Sequence, residues 1–239
     1  SRATHAIFLR DDKKFIEDNL IDTMIKDGLT DSFNNYHMGV TAENIAEKYH
    51  ITRREQDTFS ISSQKKAKKA YEEKKFNDEL IKLQIQSNNE KFIFEHDEYL
   101  RNNITLDDLE KLNTVFKENG TVTPGNSSGL NDGAAALVLM TREKAELKSL
   151  EILASIVSWS SSGVEPSLMG LGPIPSIKEA LIKAQWQMED IDLFEINEAF
   201  AAQTLAVIRE LKIPEEKVNV NGGAIALGHP IGASGSRIV

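Results

Sequence analysis

From Thr41 onward the apolar positions recur at helical spacing, and two helices are predicted before residue 76. Thr41 is placed to cap the first, a short helix running through Ile45 and Ala46. The stretch T-R-R-E, Thr52 to Glu55, is a capping box in which hydroxyl and carboxylate each satisfy a backbone amide. It opens a long helix to about Lys75 that buries Phe59, Ala67, Ala70 and Tyr71. LIKLQIQ, Leu80 to Gln86, alternates apolar and polar and reads as a half-exposed strand. A turn over SNNEK follows, then a second extended segment, FIFEHDEYLR. TLDDLEKL has leucines at i, i+3 and i+6 behind Thr105, a short capped helix. The chain to about Leu130 is mixed and highly charged, an insertion lying on a more compact body.

The pattern changes at Asp132. GAAALVLM and LEILASIVSWS are continuous apolar runs of strand length, the sign of strands buried on both faces. TREKAELK between them reads as a short helix. PSIKEALIKAQW places Ile177, Ala180, Leu181 and Ala184 on one helical face. IDLFEIN reads as a strand, EAFAAQTLAVIREL as a helix, and KVNVN as a strand that enters a glycine loop. Alternation of strands and helices predicts a layered α/β fold.

Composition narrows the function classes. The 239 residues carry 28 Lys and Arg against 37 Asp and Glu, a net charge of −9, which disfavours general nucleic-acid binding. The lysines of KKAKKAYEEKK are interleaved with acids at helical spacing and read as a solvated face before a phosphate site. No apolar run is long enough to span a bilayer, and no secretory signal opens the chain, which points to a cytoplasmic location. There is no cysteine, so disulfides and cysteine-based zinc sites are excluded, and the five histidines share no metal-ligand spacing. No metal and no cofactor are expected.

Two loops lie where α/β folds place ligands, just past strand ends. One is N-E-A-F, Asn197 to Phe200; the other is GHPIGASG, with His229 between Gly228 and Pro230. Asn197 is either a plain helix N-cap or an amide that steadies a water or an oxygen developing charge. His229 is either satisfied by loop carbonyls or held by its rigid Gly-His-Pro frame for proton transfer. The glycine loop is neither a Walker loop nor G-x-G-x-x-G, which counts against a dinucleotide dehydrogenase, though its glycines can expose amides at a helix start.

Four stretches together resemble the thiolase family: YHMGVTAENIAEKY, TVTPGNSSGLNDGAAALVLM, NEAFAAQ and NVNGGAIALGHPIGASGSR. They stand in the family's order and cover essentially the whole chain. Within it, the YHMG stretch with His37 and Met38 is most similar to the short-chain acetyl-CoA acetyltransferases. The resemblance implies transferase activity in acyl-CoA and fatty acid metabolism, with acetyl-CoA, acetoacetyl-CoA and free CoA as partners and CoA as a substrate rather than a cofactor. It implies a homotetramer and acyl transfer through a cysteine lying before this region, with a second, acid/base cysteine beyond Val239. The chain would then be a central part of such an enzyme, inactive alone. The competing reading is a cysteine-free acyl-CoA binding module or assembly domain.

By the same resemblance His229 falls on the histidine that activates the thiol. Asn197 falls on the asparagine whose water, with that histidine, forms an oxyanion hole. His37, Met38, Arg101, Phe116, Ser128, Leu130, Met169, Ala199 and Phe200 fall on positions lining the CoA and acyl pocket. Two residues depart from the family pattern: Pro124 in the CoA-binding turn, and Asp108 where a serine is usual near the adenosine. An acid there would repel a phosphate-bearing ligand mildly. The implied fold is a thiolase-like layered α/β/α arrangement with an inserted mixed α/β loop domain, incomplete here. Residues 1–130 would form the loop domain, 131–146 the closing strand of the first half, and 147–239 part of the second half.

Overall fold

The structure, a computed structural model, describes residues 5–6, 21–87 and 90–239. Its centre is a helix, α6 (Ala201–Leu211), whose residues Ala201 to Ile208 are all buried. The sequence AAQTLAVI carries no charge, and a helix buried on every face needs cover on every face. That cover comes from α1 (Met38–Lys48), α2 (Arg53–Glu72) and α5 (Pro173–Ala184). Ile45, Ile51, Leu171, Ile174, Leu205 and Ile208 belong to the core that results. A second cluster, Ala67, Ala70, Phe76, Ala226 and Leu227, lies under the glycine loop, where α2 packs on the short α7 (Ala224–Leu227). The chain ends in α8 (Ile231–Ile238).

The helices follow local chemistry closely. Thr52 accepts from the Glu55 amide, and the Glu55 carboxylate takes the Thr52 amide at 2.7 Å. Thr105 and Asp108 form the same box at the start of α3 (Leu106–Glu110), and Thr141 caps α4 (Arg142–Leu147). Asp108 is therefore engaged as a cap, its carboxylate accepting from the Thr105 hydroxyl at 2.6 Å. One cap differs from expectation. His37, not Thr41, opens α1: the imidazole Nδ1 accepts from the Gly39 amide at 3.0 Å, and Thr41 sits inside the helix, donating to the Met38 carbonyl at 2.6 Å. α2 stops at Glu72, α5 starts two residues early at Pro173, and Phe59 and Tyr71 are half-buried rather than buried. Lys69 of α2 is solvated and pairs to Glu73 at 3.7 Å, as expected of that face, whereas the half-buried Lys66 donates to the Val218 carbonyl.

Strands are fewer than the apolar pattern predicts. Two antiparallel pairs are formed, β1 (His5–Ala6) with β2 (Ile21–Asp22), and β3 (Leu83–Ser87) with β4 (Glu90–Phe94). β3 begins at Leu83 because the Leu80 amide closes a turn onto the Phe76 carbonyl. Residues 88 and 89 of the turn expected over SNNEK lie outside the described residues. GAAALVLM and LEILASIVSWS are neither strands nor buried: Val138 is 86% exposed and Leu153 is 92% exposed. A strand exists only through its ladder, and neither segment has a partner strand among the described residues. The closing strand expected within 131–146 is absent for the same reason. IDLFEI and KVNVN meet through one parallel bridge, Phe194 to Val218, with the Phe194 amide 2.9 Å from the Lys217 carbonyl. The Asn219 side chain then does what a further ladder step would do. Its Oδ1 accepts from the Ile196 amide and its Nδ2 donates to the Ile196 carbonyl, both at 2.8 Å.

Thr52→Ala should cost about 1 kcal/mol of stability, the usual worth of an N-cap. Hydrogen bonds from Thr52 and the Arg209 guanidinium hold the Glu55 carboxyl at about 2, against an ordinary 4.5. A carboxyl depressed on folding stabilises above its unfolded value and ceases to do so as pH falls through the folded one. Urea titrations should thus show the gap between wild type and Thr52→Ala at pH 7 and its narrowing from about 4.5 down to about 2.

Candidate functional site

The N-E-A-F loop and the glycine loop are brought together by a buried carboxylate. Glu198 is 1% exposed, and it is held by donors from three other places in the chain. Ser63 of α2 donates to it at 2.7 Å, Asn219 at 2.8 Å and the backbone amide of Ile225 at 3.2 Å. Burial pushes the Glu198 carboxyl above the ordinary range, and these three donors oppose that rise. Gly223 lies so close that a Cβ there would meet the carboxylate. The next loop position needs glycine for a different reason: Gly228 has φ +96° and carries the chain straight into His229.

Asn197 precedes Glu198 and faces the other way, toward His229. The Asn197 amide nitrogen is 3.3 Å from His229 Nε2. The N-cap reading of Asn197 does not hold, because α6 starts at Ala201 with Phe200 in the cap position. Nor is the imidazole satisfied by loop carbonyls: its Nδ1 lies 2.6 Å from the Ser234 hydroxyl. The His229 amide donates to Asn131 Oδ1 at 3.3 Å and to the Gly129 carbonyl at 3.2 Å. The histidine is half-buried, and burial lowers its pKa from the ordinary 6.5, which favours the neutral imidazole.

These two side chains lie on the wall of a cavity of about 440 Å³. His37, Met38, Phe116, Ser128, Leu130, Met169, Ala199 and Phe200 line the same cavity. Arg101 does not: it is exposed, with its guanidinium 5.3 Å above the Tyr99 ring. The His37 and Phe116 rings stack at 4.7 Å, and Phe116 meets Phe200 edge-on at 6.1 Å, an apolar wall that joins α1 to the N-E-A-F loop. The Ser128 amide and hydroxyl both donate to the Ala199 carbonyl at 3.0 Å, and the Ala201 amide donates to the Asn126 carbonyl.

Asn126 is itself fixed by Asp57 of α2 at 2.9 Å, and Asp57 by Arg53 at 2.7 Å. The segment around Pro124 is thus anchored beneath the cavity by buried polar side chains. Glu43 of α1 extends that anchoring, accepting from the Thr121 and Val122 amides. Sequence reasoning missed Ser234, Asn131, Glu198 and Gln203, the last of which also lines the cavity. Among the described residues no cluster of three potential metal ligands occurs, and no helix is long and apolar enough to cross a membrane.

Comparison with known proteins gives this arrangement a family. The thiolase N-terminal domain model matches residues 1–143 and the thiolase C-terminal domain model residues 150–239. The acetyl-CoA acetyltransferases of Rhizobium meliloti (strain 1021) and Paracoccus denitrificans are 52% and 51% identical over all 239 residues. The chain spans 61% of the length of each of these relatives. The crystal structure of the Bacillus anthracis acetyl-CoA acetyltransferase superposes with a TM-score of 0.94 at 46% identity, over 98% of this chain and 59% of that one. Human mitochondrial 3-ketoacyl-CoA thiolase in complex with CoA gives 0.92 at 42% identity, over 99% of this chain and 59% of that one. A cavity walled by the asparagine and histidine of these two loops, on a fold shared with those structures, belongs to a chain of the thiolase family.

Proposed function

We propose that this chain carries the histidine and asparagine of an acetyl-CoA C-acetyltransferase site, which forms or cleaves acetoacetyl-CoA through a cysteine acyl-enzyme. The observation that carries the reading is the 3.3 Å approach of Asn197 Nδ2 to His229 Nε2 on the cavity wall. A neutral imidazole can take the proton of a thiol: the S–H bond breaks, the Nε2–H bond forms, and the electron pair stays on sulfur as the attacking thiolate. Nε2–H and a water held by the Asn197 amide are then two donors converging on one place. An oxygen seated between them, on a thioester gaining charge, is stabilised as the charge develops.

The rest of the cavity suits the remainder of an acyl-CoA. His37, Phe116 and Phe200 offer an apolar wall to a short acyl group and pantetheine, while Leu130 and Met169 stand half-exposed at its margin. Acetyl-CoA, acetoacetyl-CoA and CoA are the proposed partners, and a homotetramer the proposed assembly, by analogy with the family.

A second reading has one specific observation in its favour. The 239 residues hold no cysteine, so on their own they fit an acyl-CoA binding module. Titration with CoA does not separate the two readings, because both bind it. Chemistry does.

His229→Ala, introduced into a protein that joins this chain to the nucleophilic cysteine, should abolish turnover and leave CoA affinity within about twofold, since the group acts only in the transition state. A normal kcat with a raised KM would leave His229 a binding residue only. In the same protein the acid limb of the rate profile should fall below pH 6.5, because activity needs the neutral imidazole and burial lowers its pKa from that value. Asn197→Ala should lower kcat by roughly 10²–10³ with its melting temperature unchanged, since it caps no helix; lost stability at full rate would contradict the role. The 239 residues alone should show no cleavage of acetoacetyl-CoA with free CoA above a protein-free blank.

A further inference from the structure

We propose that Ser234 is a positioning residue that holds the His229 imidazole as its Nδ1–H tautomer, so that the Nε2 lone pair faces the cavity. The proposal deepens the reading of His229 as the base and rests on it. It begins with the count of protons on one hydroxyl. Ser234 Oγ is 2.6 Å from His229 Nδ1 and 3.2 Å from the Pro230 carbonyl oxygen. The Pro230 carbonyl only accepts and so offers the hydroxyl proton a place, and a hydroxyl that donates there turns a lone pair to the ring. What Ser234 then offers the ring is a lone pair, and the ring nitrogen facing it must carry the proton.

The opposite edge of the ring leads to the same tautomer independently. Nε2 faces the Asn197 amide nitrogen, a donor, at 3.3 Å. A donor there is matched by an unprotonated Nε2. In the other tautomer, Nε2–H would point at an N–H, and the Ser234 hydroxyl would have to abandon Pro230 to donate to Nδ1.

The support is rigid as well as correctly poled. Ser234 is buried in the first turn of α8, and the Ala233 and Ser234 amides close that turn on the Pro230 carbonyl at 2.8 and 2.9 Å. His229 is pinned at its own amide by Gly129 and Asn131. Ring and hydroxyl are therefore fixed within six residues of chain, with no flexible side chain between them. When Nε2 takes a thiol proton, the Nδ1–H bond to Ser234 persists unchanged in the imidazolium. The same nitrogen that accepted the proton becomes the donor toward the charged oxygen, and no tautomer exchange is needed in the cycle.

Two-bond ¹H–¹⁵N correlation spectra of histidine-labelled protein read the tautomer directly, with the His229 signals identified by their loss in His229→Asn. At a pH where the ring is neutral, wild type should show a protonated Nδ1 and a bare Nε2. Ser234→Ala should move the tautomer ratio toward Nε2–H by about fivefold, the worth of one net hydrogen bond, and Ser234→Thr, which keeps the hydroxyl, should restore it. An Nε2–H tautomer in wild type, or an unchanged ratio in Ser234→Ala, would overturn the proposal. The wild-type spectrum decides even if a variant fails to fold. Because the spectra need no turnover, failure of the tautomer and failure of His229 as the base are seen separately.

Discussion

The geometry of the cavity wall hangs on one carboxylate that does not line the cavity. Glu198 adjoins Asn197 in the chain and is bonded to the start of the glycine loop through Ile225, so it sets the distance between two loops whose key residues are 32 positions apart. Each of its donors is itself committed. Ser63 accepts from the Gly223 amide while donating to Glu198, and Asn219 spends its amide on Ile196 as well. A buried carboxylate without such donors would cost several kcal/mol or be protonated. With them it becomes a hub whose geometry has little slack. Asn197 and His229 meet because the hub brings their backbones together, not because their side chains attract strongly.

A second polar framework does the same for the other wall. Arg53, Asp57 and Asn126 tie α2 to the turn around Pro124, and Glu43 ties α1 to Thr121 and Val122. That turn then bonds to Ala199 and Ala201, which joins it to the N-E-A-F loop. Charged groups buried inside a structure are stable only when paired or richly hydrogen-bonded, and directional bonds of that kind specify position where apolar contacts alone would allow sliding. The cavity is lined by apolar rings but located by ions.

What was legible in the sequence follows from how local each feature is. The capping box at Thr52 and the helix EAFAAQTLAVIREL depend on neighbours a few residues away, and both are present, the helix from Ala201 rather than Glu198. The strand patterns of GAAALVLM and LEILASIVSWS depend on partners elsewhere, and an apolar run cannot report whether a partner lies within reach. The thiolase motifs located the loops of Asn197 and His229, and the structure brings those residues to one cavity wall. Three buried acids were not legible: Glu43, Asp57 and Glu198 read as surface charge until their distant donors are seen. Ser234 escaped for a related reason, since a serine in a glycine-rich loop is ordinary until a ring nitrogen is found 2.6 Å away.

In the proposed reaction an acyl thioester is held between His229 and Asn197. The most direct measurement is a crystal structure of the protein with acetyl-CoA bound. The thioester oxygen is expected within about 3 Å of His229 Nε2 and of a water held by Asn197 Nδ2, with the acyl group against His37 and Phe116. A thioester lying elsewhere, with His229 against the adenine or out of reach of the ligand, would contradict it.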